Sequence, residues 1–224
     1  MAAPAARSGR PAPRGAWLAH PAVKPAVFAL SLLPLAWLVW GVFADKLGAN
    51  PAEYLERSTG IWALRFLCLT LAVTPLRVTL GWPLLLRLRR MLGLFMAFYA
   101  SLHLLCYAWF DMGFDLGEIA RDIPKRPFIL VGFSAFVLLL PLVATSFNRA
   151  VRALGGRRWQ ALHRLVYVIA VLAILHFFWM RAGKNDFAEV ALYATILGAL
   201  LGWRVWHRLR QGRSRAAPAA RVSR

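Results

Sequence analysis

Six stretches of this chain stay apolar for the length of a membrane crossing. They fall at 25–43, 60–79, 91–110, 127–146, 160–180 and 188–206. Each is close to the ~20 residues that a helix rising ~1.5 Å per residue needs to cross the hydrocarbon core. Lipid offers no hydrogen bonds to a backbone, so such segments must satisfy themselves as helices. The expected fold is all-α, an integral membrane six-helix bundle. The net charge of +19 would by itself suggest nucleic acid. With 60% of 224 residues hydrophobic and only 17% charged, the apolar spans exclude that reading, and the expected environment is a lipid bilayer with no nucleic-acid partner.

The charges between the spans alternate. The N-terminal segment and the second and fourth loops each carry +4, and the C-terminal segment carries +7. The first and third loops carry −1 each, and the fifth is neutral. Lys and Arg mark the cytoplasmic side, so both termini are expected in the cytoplasm, as an even number of spans requires. All ten tryptophans fall near the span ends of this reading, as in an interfacial aromatic belt. The organisation expected is a disordered basic tail over 1–24, the six-span domain over 25–207 and a second basic tail over 208–224. The segment MAAPAARSGRPAPRGAWLAH has no apolar core of its own, so no cleaved signal peptide is expected. Pro34, Pro75 and Pro141 lie within spans, which membrane helices tolerate where neighbours satisfy the freed backbone groups. Cys68 and Cys106 lie in spans without metal spacing and read as small buried hydrophobes. Gly198 and Gly202 form a GxxxG in the last span, by chance or as a close helix contact.

Ionisable side chains in lipid are costly and usually functional. His103 lies in the third span, and His163 and His176 both lie in the fifth, in WQALHRLVYVIAVLAILHFFW. His103 stands about 18 Å above Met91, and His176 about 22 Å above Ala161, at ~1.5 Å per residue. Two histidines from different helices at matched depth can face each other across one heme iron. A heme with both axial positions filled favours electron transfer over oxygen binding. His163 lies roughly 20 Å from His176 along the fifth span, where it would serve a second heme or a quinol or flavin headgroup. At ~100° per residue the two are about 140° apart around one helix, so periodicity alone does not place them on one face. Arg65, the intramembrane charge of span two, is a candidate partner for heme propionates or a snorkelling side chain.

The segments LGANPAEYLERSTGIWALRFLCLTLAVTPLR, LLLRLRRMLGLFMAFYASLHLLCYAWFDMG and GRRWQALHRLVYVIAVLAILHFFW resemble the heme-binding membrane subunits of bacterial methionine-sulfoxide reductase systems, the MsrQ (YedZ) family. The likeness extends over most of residues 30 to 207 and excludes the tails. That family belongs to the wider ferric-reductase-like transmembrane group. The resemblance implies a b-type cytochrome of the bacterial inner membrane, with one heme b or two. It implies electrons drawn from the respiratory quinol pool and passed to a periplasmic molybdopterin-containing catalytic subunit, MsrP, which repairs oxidised methionines. It also implies an association with FMN. His103, His163 and His176 match the family's histidines. NADPH oxidases of the wider group have a further histidine about fourteen positions before His103, where this chain has Arg89 and Arg90; an inner pair at His163 is thus incomplete.

Two other classes remain to be weighed. A transporter or channel would line a polar path with His103, His176 and Arg65, but no convincing internal repeat supports it. A purely structural anchor leaves the depth-matched histidines unexplained. Seventeen residues follow His207, too few for a hydride-accepting flavin module, so the expected donor is a membrane quinol or a separate reductase. The chain itself is expected to carry electrons, with sulfoxide reduction left to another subunit.

Overall fold

The computed structural model describes residues 14–183 and 185–216, and the side chains among them except those of 213–216. Most of these residues are helical. After a short 3-10 turn at Ala16–Ala19 come α1 (Val23–Phe43), α2 (Pro51–Leu80) and α3 (Leu86–Cys106). Then follow α4 (Leu116–Lys125), α5 (Pro127–Ala144), α6 (Asn148–His163), α7 (Leu165–Ala182) and α8 (Ala188–Ala216). Six of the resulting segments are long and apolar enough to cross a membrane, with α6 and α7 together forming the fifth. The six expected spans are therefore present. Residues 1–13 of the expected N-terminal tail and 217–224 of the C-terminal one lie outside the described residues. Helix α8 itself continues through 208–216.

Local chemistry sets the helix ends. Asn50 caps α2 by accepting from the Glu53 N–H at 3.2 Å, and its own amide donates to the Glu53 carboxylate at 3.3 Å. Pro51 follows at the first helical position, where its missing N–H costs nothing. Gly81 ends α2 in the left-handed region at φ 67°, which a glycine adopts without strain. Helix α2 thus begins nine residues before the expected span start at 60. Its first turns carry Glu53, Glu56 and Arg57, with Arg57 and Glu53 paired at 2.6 Å, and hydropathy passes over so polar a start. One consequence corrects the tryptophan belt. Trp62 sits in the twelfth position of α2 and packs inside the bundle, 6.3 Å from Tyr99 between ring centres.

Helix α2 packs most extensively on α3, and α5 on α7; α8 leans on α2 and α7. Because consecutive spans alternate, α2 and α5 run one way and α3 and α7 return. The ends carrying both termini and the arginine-rich loops form a basic face. All nine acidic residues fall at the opposite face, in 44–59, 111–126 and 181–189. The core between the helices is apolar, with Leu67, Leu71 and Tyr99 almost fully enclosed. Around the perimeter, Leu30, Leu33, Leu140 and Val171 are largely exposed, as lipid-facing side chains are. Gly198 and Gly202 have no atom within 4 Å of where a Cβ would stand, so they make no close contact within the described molecule.

Prolines interrupt several helix ladders, and at Pro34 and Pro75 a neighbouring side chain answers the interruption. At Pro34 the Tyr99 hydroxyl enters the ladder of α1. It donates to the Ser31 carbonyl at 2.9 Å and accepts from the Leu35 N–H at 3.1 Å. Pro75 has no N–H to give the Leu71 carbonyl four residues back. Arg204, from α8, donates its Nη2–H to that carbonyl and its Nη1–H to Leu200 at 2.7 Å.

Candidate functional site

His103 on α3 and His176 on α7 face each other inside the bundle. Their ring centres lie 6.0 Å apart, with ring planes at 73°. The structure thus brings together the two histidines matched by depth. Each ring is tied at the same atom. His103 Nδ1 is 2.9 Å from the Glu56 carbonyl on α2, and His176 Nδ1 is 2.7 Å from the Phe128 carbonyl on α5. A carbonyl can only accept, so both Nδ1 atoms carry the proton. In the neutral rings Nε2 is then the bare nitrogen, the one that ligates metals when its partner is so held.

The donor set decides which metal group these residues fit. Among the described residues no three His, Cys, Asp or Glu side chains gather as a metal cluster. Two imidazoles alone are too few for a tetrahedral ion, but they complete an iron whose other four positions come from a macrocycle. The spacing agrees: two imidazoles bound to one metal at about 2 Å each have centres about 6 Å apart. An open apolar groove of about 270 Å³ lies between α3 and α5 on the lipid-facing side of the bundle, and neither histidine lines it. Ala97, Phe98, Ser101, Phe136, Leu139 and Leu140 help line it. Its hydroxyl is already spent, since Ser101 donates to its own Ala97 carbonyl at 2.9 Å, so the groove is apolar like the rest of the lipid-facing perimeter. The residues present fit a heme.

His163 stands apart from this pair, at the basic-face end. It stacks on Trp159 at 4.0 Å between ring centres. Its Nε2 is 3.1 Å from the Thr145 hydroxyl, which gives its own proton to the Pro141 carbonyl at 2.6 Å. Nε2 of His163 is therefore the donor, the tautomer opposite to that of the facing pair. The angular conflict along the fifth span has a local resolution. The helix tightens on both sides of Arg164, with Arg164 N–H donating to Ala161 and Tyr167 N–H to Arg164, at 3.2 and 3.0 Å. Three-residue turns advance about 20° further per residue than α-helical ones, which shifts the phase toward a shared face. Both histidines accordingly contact α5, His163 through Thr145 and His176 through Phe128.

Arg65 is held within the bundle, so it does not snorkel. Its Nε–H donates to the Tyr193 hydroxyl of α8 at 2.9 Å, and its guanidinium lies 4.5 Å over the Trp62 ring. Five positions after Gly60, it leaves α2 at about 140° from the side that meets His103.

The site has a polar rim toward the opposite face that the sequence reading left as loop. There α3 passes into a π-helical turn at Tyr107–Asp111. The Tyr107 hydroxyl donates to Asp122 of α4 at 2.7 Å. Arg126 grips the same carboxylate through Nε, 2.8 Å from Oδ1, and through Nη2. Hydrogen bonds from Arg126, joined by Tyr107, hold the Asp122 carboxyl below its usual range, and Asp122 in turn raises Arg126.

Comparison with known proteins bears on the same residues. Positions 59–174 match the family model of the ferric reductase like transmembrane component, a stretch that contains His103 and His163 and ends two residues before His176. A protein of Polaromonas naphthalenivorans is 64% identical over 209 residues, covering 93% of this chain and 95% of its own length. The chain belongs to the ferric-reductase-like transmembrane family and, within it, to MsrQ. Further MsrQ relatives are found in Ralstonia nicotianae, 56% identical over 85% of this chain and 89% of its own, and in Xanthomonas campestris pv. campestris, 49% identical over 89% and 93%. All three relatives bear the name protein-methionine-sulfoxide reductase heme-binding subunit MsrQ. No solved structure matches this MsrQ chain significantly.

Proposed function

We propose that this chain is the heme-binding, electron-carrying membrane subunit of a protein-methionine-sulfoxide reductase system. The observation that carries the reading is the His103–His176 pair, with centres 6.0 Å apart and both Nδ1 atoms tied to backbone carbonyls. His103 and His176 would hold one heme b, which when bound on both sides relays single electrons and leaves no open position for oxygen. The Glu56 and Phe128 carbonyls fix the tautomer and the orientation of the two rings.

Electrons enter from the respiratory quinol pool at the basic face, near His163, Trp159 and Thr145. That group pairs a stacking surface with an acceptor: with Nε2–H given to Thr145, the bare Nδ1 of His163 can accept from a quinol hydroxyl. They leave at the opposite face, toward a periplasmic molybdopterin-containing catalytic subunit, MsrP, which reduces methionine sulfoxide. The protein is multi-pass in the bacterial inner membrane, with both termini cytoplasmic, in keeping with the arginine-rich basic face. The reading needs no FMN and assigns it no residues; Arg65 acts as a clamp between α2 and α8 rather than as a propionate partner.

The test is spectroscopic. The purified wild-type protein should show a reduced low-spin b-type spectrum, and His103→Ala or His176→Ala should lose most of it. Membranes given a quinol and no NADPH should reduce that heme. A colourless wild type would favour a transporter, and full heme content in both histidine variants would sink the ligand assignment.

A further inference from the structure

The two histidines are seated by the same device. A Cβ placed on Gly132 would lie 2.7 Å from His176 Nδ1, 2.9 Å from Cε1 and 3.1 Å from Cγ. A Cβ on Gly60 would lie 3.1 Å from both Cε1 and Nδ1 of His103 and 3.5 Å from Cγ. In each case the three nearest atoms all belong to the imidazole. In each case the carbonyl that receives Nδ1–H lies four residues before the glycine: Glu56 before Gly60, and Phe128 before Gly132. The glycine occupies a descending helix, α2 or α5, and its histidine the helix that packs on it, α3 or α7. The two glycines precede their histidines by 43 and 44 residues.

We propose that Gly60 and Gly132 are positioning residues for the two heme ligands, each a notch in one helix into which an imidazole of the next is seated. This rests on the reading that His103 and His176 hold the heme. A helical carbonyl is screened by the side chain one turn further on, which projects back over it. With no Cβ at that position, a ring from the neighbouring helix can lie against the backbone and reach the carbonyl. The bond then fixes which nitrogen is bare, how the ring plane is rotated and how basic Nε2 is, all of which tune a bound iron. The ring is rigid and tied at Nδ1, so it cannot swing aside for a methyl group as a flexible side chain would. At Gly132 the ring must move; at Gly60 a shift of a few tenths of an ångström suffices. The order of severity follows.

The test compares Gly60→Ala and Gly132→Ala with Gly198→Ala, whose Cβ would meet nothing within 4 Å. The full-length chain is purified in detergent and read for heme per protein, low-spin electron paramagnetic resonance and midpoint potential. Gly132→Ala should weaken heme retention by about tenfold or more, the usual cost of disturbing a ligand's supporting bond. Gly60→Ala should keep its heme but shift the resonance positions and the potential, while Gly198→Ala matches wild type. If Gly132→Ala does not fold, Gly60→Ala decides alone, because a role confined to helix packing would leave its resonance and potential unchanged. Wild-type spectra and potential in Gly60→Ala, or a larger heme loss there than in a folded Gly132→Ala, overturn the proposal. The histidine variants separate the two levels. If His103→Ala and His176→Ala keep the heme, the ligand reading fails; if they lose it and the glycine variants are unchanged, only the notches fail.

Discussion

Tyr99 has the most enclosed side chain among the described residues, with none of its surface exposed, and its hydroxyl closes a gap in another helix. Removing that oxygen takes from the Ser31 carbonyl and the Leu35 N–H the partner they share. A buried polar group left without its partner costs about 1–3 kcal/mol. Tyr99→Phe should therefore lower stability by that order, read as a shift in denaturant-induced unfolding of the purified protein. A substitution of lipid-facing Leu33 by Val should shift it far less. Residues of this kind were only partly legible in the sequence. Depth counting from ~1.5 Å per residue was enough to pair His103 with His176. It could not single out Gly60 and Gly132 among 16 glycines, because what distinguishes them is the ring that lies against them. Arg204 was counted with the tail charges, since nothing in its own segment reveals that Pro75, 129 positions away, leaves a carbonyl for it.

At the scale of elements, Pro75 and Arg204 form a unit joining α2 to α8. Arg204→Leu removes the donor and orphans the Leu71 carbonyl. Pro75→Ala restores an N–H that can take the same carbonyl. The two changes should then be non-additive: Arg204→Leu should cost less in the Pro75→Ala background, with a coupling of about 0.5–3 kcal/mol. A double-mutant cycle on unfolding free energies measures it, and simple additivity would contradict the assignment. Helix α4 offers a pH dependence with a definite sign. The Asp122 carboxyl is held below its usual range by Arg126, so its contribution is present above the unfolded-state value near ~3.9 and is lost as pH falls through the lower folded value. Hydrogen exchange over 116–126 should be slow at neutral pH and accelerate as the medium is acidified below about pH 4, beyond the ordinary acid dependence of exchange; in Asp122→Asn the acceleration should be absent. Sequence periodicity missed α4 because a ten-residue segment with its charges on one side reads as loop beside twenty-residue apolar runs. The same hydropathy found all six spans, because their length is set by the bilayer and not by tertiary contacts.

Across the whole molecule, the site joins two antiparallel helix pairs. Helices α2 and α3 supply Gly60 and His103; α5 and α7 supply Gly132 and His176. Each pair packs far more extensively within itself than against the other. A heme ligated by both imidazoles would therefore be a cross-link between pairs that otherwise touch lightly. Anything that binds the folded state alone stabilises it by mass action, about 2.7 kcal/mol at a hundredfold excess over the dissociation constant. For a chain of this length that corresponds to a rise of roughly 5–10 °C in melting temperature. Heme-replete wild-type protein should melt higher than heme-depleted wild type by about that interval, followed by tryptophan emission and by loss of the monodisperse peak after heating. His176→Ala removes the anchor on the α5–α7 pair, so it should melt near the depleted wild type and gain little when hemin is added. Equal melting of replete and depleted wild type would mean that the two helix pairs hold together without the ligand, and that the facing histidines carry electrons without carrying the fold.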